Sequence, residues 1–174
     1  MAHALPDVKV MVMLRDPVRR AESHFHHSVS HGHEDLDFRQ AMAAEPARLD
    51  GEIEKMERDW SYWSHSHEHH SYFAKGVYVE QLERLFRHYP RDQVMVIQSE
   101  EFYRNANQVL AEVTEWLGLQ PVTLAEKDDR NGHAYKKMDQ DMRSHLIDLY
   151  REPNERLFDL LGVRYDWLGS DTGS

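Results

Sequence analysis

Two short runs of consecutive apolar residues, at positions 10–14 and 94–97, stand out in the hydrophobic pattern of the chain. Each run has the length of a strand, and unbroken apolar character is typical of a strand buried on both faces of a parallel sheet. Elsewhere, apolar residues recur every three or four positions, which is the spacing of helices that bury one face. The pattern therefore predicts an α/β fold in which helices flank a parallel sheet.

A helix is predicted directly after the first strand. Asp16 is a common capping residue, and Pro17 suits the first turn because its missing N–H would have had no partner there. Arg15 then lies at the carboxyl end of a parallel strand, where open α/β sheets bind ligands. The arginine fork and the hydroxyl of Ser23, about two helical turns further on, form a set of donors suited to a phosphate. The alternative is that the arginine is merely solvated.

Further helices are predicted from apolar spacing and end signals. Asp37 is expected to cap a helix over residues 38–49. Residues 76–86 have the spacing of a helix that buries one face. A further helix is expected to follow Asn105 and to end at Gly118.

The C-terminal part of the sequence predicts two helices separated by a break. The first covers residues 139–150. Its buried stripe consists of three apolar residues, Met142, Leu146 and Leu149. We expect Pro153 to break this helix and Asn154 to cap a last one that runs to Gly162.

Residues 52–63 predict a charged surface helix or loop that carries an aromatic cluster, Trp60, Tyr62 and Trp63. We expect the cluster to pack under a loop, and the alternative is a wall against which an acceptor substrate stacks.

Composition narrows the class of protein. The 174 residues are enough for one domain with a core, which we place at residues 1–168, followed by a disordered tail at 169–174. The net charge of −10 argues against a general binder of nucleic acid or anionic membranes. Cysteine is absent, and no apolar run approaches the ~20 residues of a membrane span. The sequence therefore predicts a cytoplasmic protein.

The histidine-rich segment at residues 65–70, His-Ser-His-Glu-His-His, invites a metal-binding interpretation, because imidazoles suit zinc or copper. No spacing in it matches a known metal motif, and His65 and His69 share a face only if the segment is helical. We therefore expect no metal site.

The residues Leu14-Arg15-Asp16-Pro17, with Ser23 eight positions after the arginine, resemble the 3′-phosphate-binding segment of PAPS-dependent sulfotransferases of the bacterial type. These enzymes use 3′-phosphoadenosine-5′-phosphosulfate. Further family patterns follow in order: Gly32, Glu34, Phe38, Ala41 and Glu45; Gly76-x-Tyr78-x-x-x-Leu82; Tyr89-Pro90-Arg91; Ser99-Glu100-x-Phe102; Trp116-Leu117-Gly118-Leu119; and Tyr150, Pro153, Asn154, Leu157, Leu160, Gly162, Asp166 and Trp167. The resemblance covers residues 8–167, nearly the whole chain.

The resemblance implies a P-loop-like sulfotransferase fold, PAPS as donor, and transfer of a sulfuryl group to a hydroxyl or amine of a small molecule or glycan. In that family Arg15 and Ser23 would hold the 3′-phosphate. A basic loop also closes over this phosphate in the family, and its place is taken here by Arg130, Asn131 and Gly132, although the Lys-Gly-Arg signature of many members is missing.

Two family features are missing from the sequence. Sulfotransferases carry a Gly-rich, lysine-containing loop for the 5′-phosphosulfate, and no Gly-x-x-Lys-Thr/Ser pattern occurs here. The usual general base also precedes the part of the domain that matches. We therefore expect an N-terminally truncated domain with little activity alone, assign no catalytic residue, and expect association with a second copy or a complementing N-terminal segment. The alternative is an inactive nucleotide-binding or protein-interaction module of the same fold.

Overall fold

The computed structural model of the protein describes residues 6–124 and 138–167. By its contacts the chain divides into two compact units, each assembled from two separate segments. The first comprises Met1–Asp16 and Glu80–Ala134, and the second comprises Pro17–Val79 and Tyr135–Ser174. The single domain over residues 1–168 stays a prediction, and the predicted tail lies outside the described residues.

Two strands and eight α-helices form the regular structure of the described residues. In chain order they are β1 (Val10–Leu14), α1 (Pro17–Ser30), α2 (Phe38–Leu49), α3 (Glu52–Arg58), α4 (His65–His69), α5 (Tyr78–Phe86), β2 (Val94–Gln98), α6 (Ser99–Arg104), α7 (Ala106–Leu117) and α8 (Gln140–Leu161). Short 3-10 turns occupy Ala74–Gly76 and Arg91–Gln93. No helix in this part of the chain has the length and apolar composition needed to cross a membrane.

The strands β1 and β2 pair in parallel, with Val10 opposite Val94 and Leu14 opposite Gln98. This confirms the parallel α/β architecture predicted from the two apolar runs. The helix ends predicted from local signals are also confirmed: Asp37 caps α2 in a capping box with Gln40, and Gly118 ends α7 with φ of 74°.

The prediction that β1 is buried on both faces is wrong. Met13 is 49% exposed, whereas Leu14, which points to the opposite face, is 2% exposed. Met13 pairs with Ile97 of β2 and therefore lies on the same face as that residue. The helix α7 covers Ile97 through Val109 and Val113 but does not extend its cover to Met13. An apolar run alone does not tell which neighbouring strand a helix will cover.

The core of the second unit lies between α1, α2 and α8. Its buried members are Val18, Ala21, Phe25, Ala41, Tyr72, Met142, Leu146 and Tyr150. The tyrosines at 72 and 150 are completely buried, and their hydroxyl groups find hydrogen-bond acceptors inside the unit, as buried phenols require.

The predicted break at Pro153 is absent, because α8 is a single helix over Gln140–Leu161. Proline removes one N–H donor to the carbonyl four residues earlier, but the buried stripe of the helix continues through this position. Tyr150 precedes the proline on that stripe, and Asn154, predicted to be a cap, follows it and is 1% exposed. Leu149, predicted to be buried, is 42% exposed since Tyr150 takes the inward position.

The prediction that the aromatic cluster packs under a loop is also wrong. Trp60 is 94% exposed and Trp63 is 62% exposed. Tyr62 lies on the surface as well, where its hydroxyl donates to Glu52 Oε2 at 2.9 Å. A cluster of large rings in a sequence therefore did not indicate a buried contact here.

Candidate functional site

The carboxyl edge of the two-stranded sheet is the candidate site in the first unit. Arg15 follows β1 and Ser99 follows β2, and the pairing of Leu14 with Gln98 places the two strand ends side by side. The sequence predicted this position for Arg15. It is where the fold allows a side chain and the N–H groups of the following turn to meet a ligand.

A hydrogen bond between distant residues holds the turn after β1. The backbone N–H of Asp16 donates to Glu100 Oε1 at 2.9 Å, and Asp16 is 6% exposed. Glu100 belongs to the first turn of α6. The backbone that carries the Arg15 side chain is thus fixed by the segment that follows the neighbouring strand.

The sequence analysis missed this role of Glu100, which it noted only as part of a family pattern. A signal was available, because residues that directly follow two paired parallel strands must meet at one edge of the sheet.

The other predicted ligands of the 3′-phosphate lie elsewhere. Ser23 belongs to α1 in the second unit, where it is partly buried. Arg130, Asn131 and Gly132 lie outside the described residues. The combination of Arg15 with these residues therefore stays a prediction.

The second unit contains a cavity of about 300 Å³. Its apolar lining comes from Phe25, Phe38, Met138 and Met142, and its polar lining comes from Glu22, His26, Asp37, Arg39 and Asp139. Glu22 Oε1 accepts a hydrogen bond from the N–H of Met138 at 2.5 Å. Three carboxylates against one arginine favour an uncharged or cationic ligand over an anion. The sequence did not predict this cavity, because it requires knowing that α1, α2 and the start of α8 pack together.

The family pattern around Gly32 proves to be structural. Glu34 is 6% exposed and accepts hydrogen bonds from Arg48, at 2.5 and 3.1 Å, and from the hydroxyl of Tyr72, at 2.8 Å. Burial by itself raises the pKa of Glu34, but the hydrogen bonds from Arg48 and Tyr72 outweigh it and bring the pKa to about 2. The carboxylate is therefore charged at neutral pH and serves to join α2 to the segment before α5.

Glu45 makes a comparable connection within the same unit. Its two carboxylate oxygens accept from the N–H groups of Phe73 and Ala74, each at 2.8 Å. Burial raises the pKa of Glu45, although these N–H groups act in the opposite direction. Both glutamates of the pattern thus make structural connections within the unit, Glu34 to side chains and Glu45 to backbone, and neither is a candidate for chemistry.

His24 is a half-buried imidazole next to the predicted Ser23. Its Nε2 lies 3.0 Å from the carbonyl oxygen of Glu68, and its ring meets Tyr72 edge-on. Burial, together with the positive charges of Arg20 and Lys75, lowers the pKa of His24 to about 4. His24 is therefore neutral at physiological pH.

Three histidines converge in the second unit. One ring nitrogen from each of His33, His65 and His69 lies within 4.8 Å of the other two. The segment 65–69 is helical, which is the condition that the sequence set for His65 and His69 to share a face. Burial and the neighbouring imidazoles of His33 and His65 lower the pKa of His69.

Comparison with known proteins connects this architecture to a family. The family model of the sulfotransferase domain matches residues 2–150. Among solved structures, the crystal structure of a sulfotransferase from Alicyclobacillus acidocaldarius has a TM-score of 0.77 and 30% identity, over 96% of this chain and 60% of that one.

The curated relatives are also sulfotransferases. The membrane-associated sulfotransferase kil1 of Dictyostelium discoideum is 30% identical over 94 residues, which is 54% of this chain and 20% of that protein. The human bifunctional heparan sulfate N-deacetylase/N-sulfotransferase 3 is 25% identical over 92% of this chain and 20% of its own length. Mouse heparan sulfate glucosamine 3-O-sulfotransferase 3A1 is 23% identical over 94% of this chain and 44% of its own length.

This chain therefore spans between a fifth and less than half of these curated relatives. The match of the family model, the solved structure and the ordered motifs agree, and the chain belongs to the sulfotransferase family.

Proposed function

We propose that this chain contributes the 3′-phosphate-binding part of an enzyme that transfers a sulfuryl group from PAPS to a hydroxyl or amine. One observation carries the proposal: Arg15 directly follows β1 at the carboxyl edge of the sheet, in a turn held by the bond from Asp16 to Glu100. A guanidinium in that position offers two parallel N–H donors to a phosphate.

In such a transfer, the bond between the sulfuryl sulfur and the bridging oxygen of the phosphosulfate breaks. The acceptor oxygen or nitrogen forms a new bond to the same sulfur and loses a proton. The 3′-phosphate takes no part in the reacting bonds, so Arg15 acts by fixing the donor rather than by making or breaking bonds. Fixing a donor in line with its acceptor supplies a large part of the catalysis of group transfer.

The acceptor is proposed at the level of its reacting group. The names of two relatives state sulfation of heparan sulfate at nitrogen or at the 3-oxygen of glucosamine, which supports a hydroxyl or amine of a glycan or small molecule. The net charge of −10 of this chain works against the approach of a highly sulfated polyanion. A weakly charged acceptor therefore fits this chain better than a mature, highly sulfated glycan. The cytoplasmic location stays a prediction.

The test is calorimetric titration of adenosine 3′,5′-bisphosphate into the purified chain. We expect wild-type protein to bind and Arg15→Ala to lose roughly tenfold to a hundredfold in affinity, which is about 1.4–2.8 kcal/mol. Arg15→Lys keeps the charge but loses the fork, and should fall between the two.

Arg151→Ala is the matched control, because this substitution removes the same charge from the protein. Arg151 is an exposed arginine on α8 that pairs with Asp148. Equal binding by wild type and Arg15→Ala would refute the proposed site. Absence of binding by well-folded wild type would favour the alternative, an interaction module that keeps the sulfotransferase fold without its nucleotide.

A further inference from the structure

The three histidines of the second unit come from two segments that are separate in sequence. His33 follows the end of α1, whereas His65 and His69 lie one turn apart on α4. The rings of His33 and His69 are stacked with centroids 3.8 Å apart, and the rings of His65 and His69 have centroids 4.6 Å apart. The cluster therefore depends on how α1 and α4 pack, and not on a local repeat of histidines.

The distances between ring nitrogens suit a shared ion. Two nitrogens that bind one tetrahedral zinc ion at about 2.0–2.1 Å are roughly 3.3 Å apart. In this protein the three candidate nitrogens lie within 4.8 Å of one another, so side-chain rotations that close each gap by about 1.5 Å or less would complete the site.

The backbone of the cluster is held by hydrogen bonds that leave the three imidazoles out. The hydroxyl of Ser28, which is completely buried, donates to the carbonyl oxygen of His69 at 2.8 Å. The ring of His70 donates from Nε2 to the carbonyl oxygen of His33 at 2.8 Å. The N–H of His33 donates to the carbonyl oxygen of Ser28, also at 2.8 Å. The two segments are thus tied together independently of any ion.

We propose that His33, His65 and His69 form a binding site for a divalent transition-metal ion, with zinc or copper as the chemical class. Neutral imidazole nitrogen is a preferred ligand for both ions. Three protein ligands leave a fourth position for water or another small ligand. This revises the expectation of no metal, which rested on the absence of a known spacing in sequence. The site is independent of the proposed nucleotide function, because it uses none of the residues assigned to the phosphate.

The experiment is a titration of Zn²⁺ into chelator-treated protein that carries no polyhistidine tag. We expect one ion per chain, and we expect His65→Ala to weaken binding by roughly tenfold or more. His65 is the most suitable position to change because it is exposed, so its replacement leaves the packing between α1 and α4 intact. His69→Ala, checked for folding by circular dichroism, should give the same loss.

Two control variants separate this site from general histidine binding. His145→Ala changes an exposed histidine on α8 and should bind Zn²⁺ as the wild type does. His27→Ala removes one ring of a different pair, His27 and His31, whose centroids are 4.1 Å apart. Loss of binding in either control, or wild-type affinity in His65→Ala, would overturn the proposal.

Trp63 offers a second, optical readout. Its ring centroid lies 5.7 Å from those of both His65 and His69. Bound Cu²⁺ should therefore quench the fluorescence of this tryptophan strongly, and Trp63→Phe should lose the quenched component while it still binds the ion. If Cu²⁺ quenches the wild type and Trp63→Phe to the same extent, the ion lies elsewhere and the assignment fails.

Discussion

The N–H of Asp16 and the Oε1 atom of Glu100 are joined by a hydrogen bond of 2.9 Å across 84 positions of the sequence. The bond connects the turn after β1 with the first turn of α6, the two segments that follow neighbouring parallel strands. Asp16 is 6% exposed, so water could not easily replace Glu100 as the acceptor for its N–H group. The conformation of the turn that carries Arg15 thus depends on a carboxylate from the other segment of the same unit.

Glu100→Ala should therefore destabilise the protein by about 1–3 kcal/mol, because it leaves a buried N–H group without its acceptor. It should also weaken the binding of adenosine 3′,5′-bisphosphate. Urea denaturation and calorimetric titration measure the two effects. The neighbouring Glu101→Ala removes an exposed ion pair with Arg104 and an exposed hydrogen bond from Asn105 Nδ2, and should cost at most about 1 kcal/mol. Equal stability of the two variants would show that the bond to Asp16 contributes nothing.

Low pH should reduce the stability of the second unit, because Glu34 becomes protonated. Its pKa is about 2 in the folded protein against an ordinary value of 4.5, so its stabilising contribution is complete above about pH 4.5. That contribution is lost as the pH falls from about 4.5 to about 2, and amounts to ~3 kcal/mol at most. Denaturation over a pH series should show this loss in the wild type and not in Glu34→Gln. Glu57→Gln, on the exposed surface of α3, should keep the wild-type profile.

The stabilising effect of a neutral His24 should be lost at a higher pH than the effect of Glu34. Its folded pKa of about 4 lies below the ordinary 6.5, so the folded state favours the neutral ring. Stability from this source is complete above about pH 6.5 and is lost as the pH falls toward about 4. NMR of ¹⁵N-labelled imidazoles should show His24 neutral at pH 5.5. A midpoint near 6.5 for this ring would contradict the proposed effect of burial and of Arg20 and Lys75.

Gly76→Ala should be strongly destabilising. A Cβ atom at this position would lie 2.8 Å from Cζ and 2.9 Å from Cε1 of Tyr150, and would also meet its hydroxyl oxygen. Tyr150 cannot move away easily, because it is fully buried and donates to the carbonyl oxygen of Phe73 at 2.9 Å. We expect a cost of about 1–3 kcal/mol in thermal or urea denaturation.

A double-mutant cycle tests the origin of that cost. Tyr150→Phe removes the hydroxyl oxygen but keeps the ring carbons, so in this background Gly76→Ala should cost less, though still a measurable amount. If the cost of Gly76→Ala is the same in both backgrounds, the hydroxyl takes no part in the clash.

The features that depend on local signals were predictable from sequence. The strand β1, the cap at Asp37 and the end of α7 at Gly118 each follow from a short pattern with a direct physical cause. The helix break predicted at Pro153 was wrong, because a long helix tolerates one missing hydrogen bond when its buried stripe continues past the proline. Here Tyr150 and Asn154 continue that stripe.

The candidate sites were less predictable, because they depend on which elements pack together. The position of Arg15 follows from the end of β1 alone, and it was predicted. The bond from Asp16 to Glu100 required the pairing of two strands far apart in sequence. The meeting of His33 with His69 required the packing of α4 on α1, of which the sequence pattern carries no direct signal.

The pairing of β1 with β2 has a consequence for synthesis on the ribosome. Val10 pairs with Val94, which follows it by 84 residues, so the sheet cannot form until Val94 has been synthesised. At roughly 5–20 residues per second, β1 emerges about 4–17 seconds before its partner exists. During that interval its five apolar residues lack β2, the strand with which they pair, and short segments of this kind aggregate readily. The nascent chain is thus exposed to misfolding while residues between the two strands are being synthesised, and slower elongation there would lengthen its dependence on chaperones.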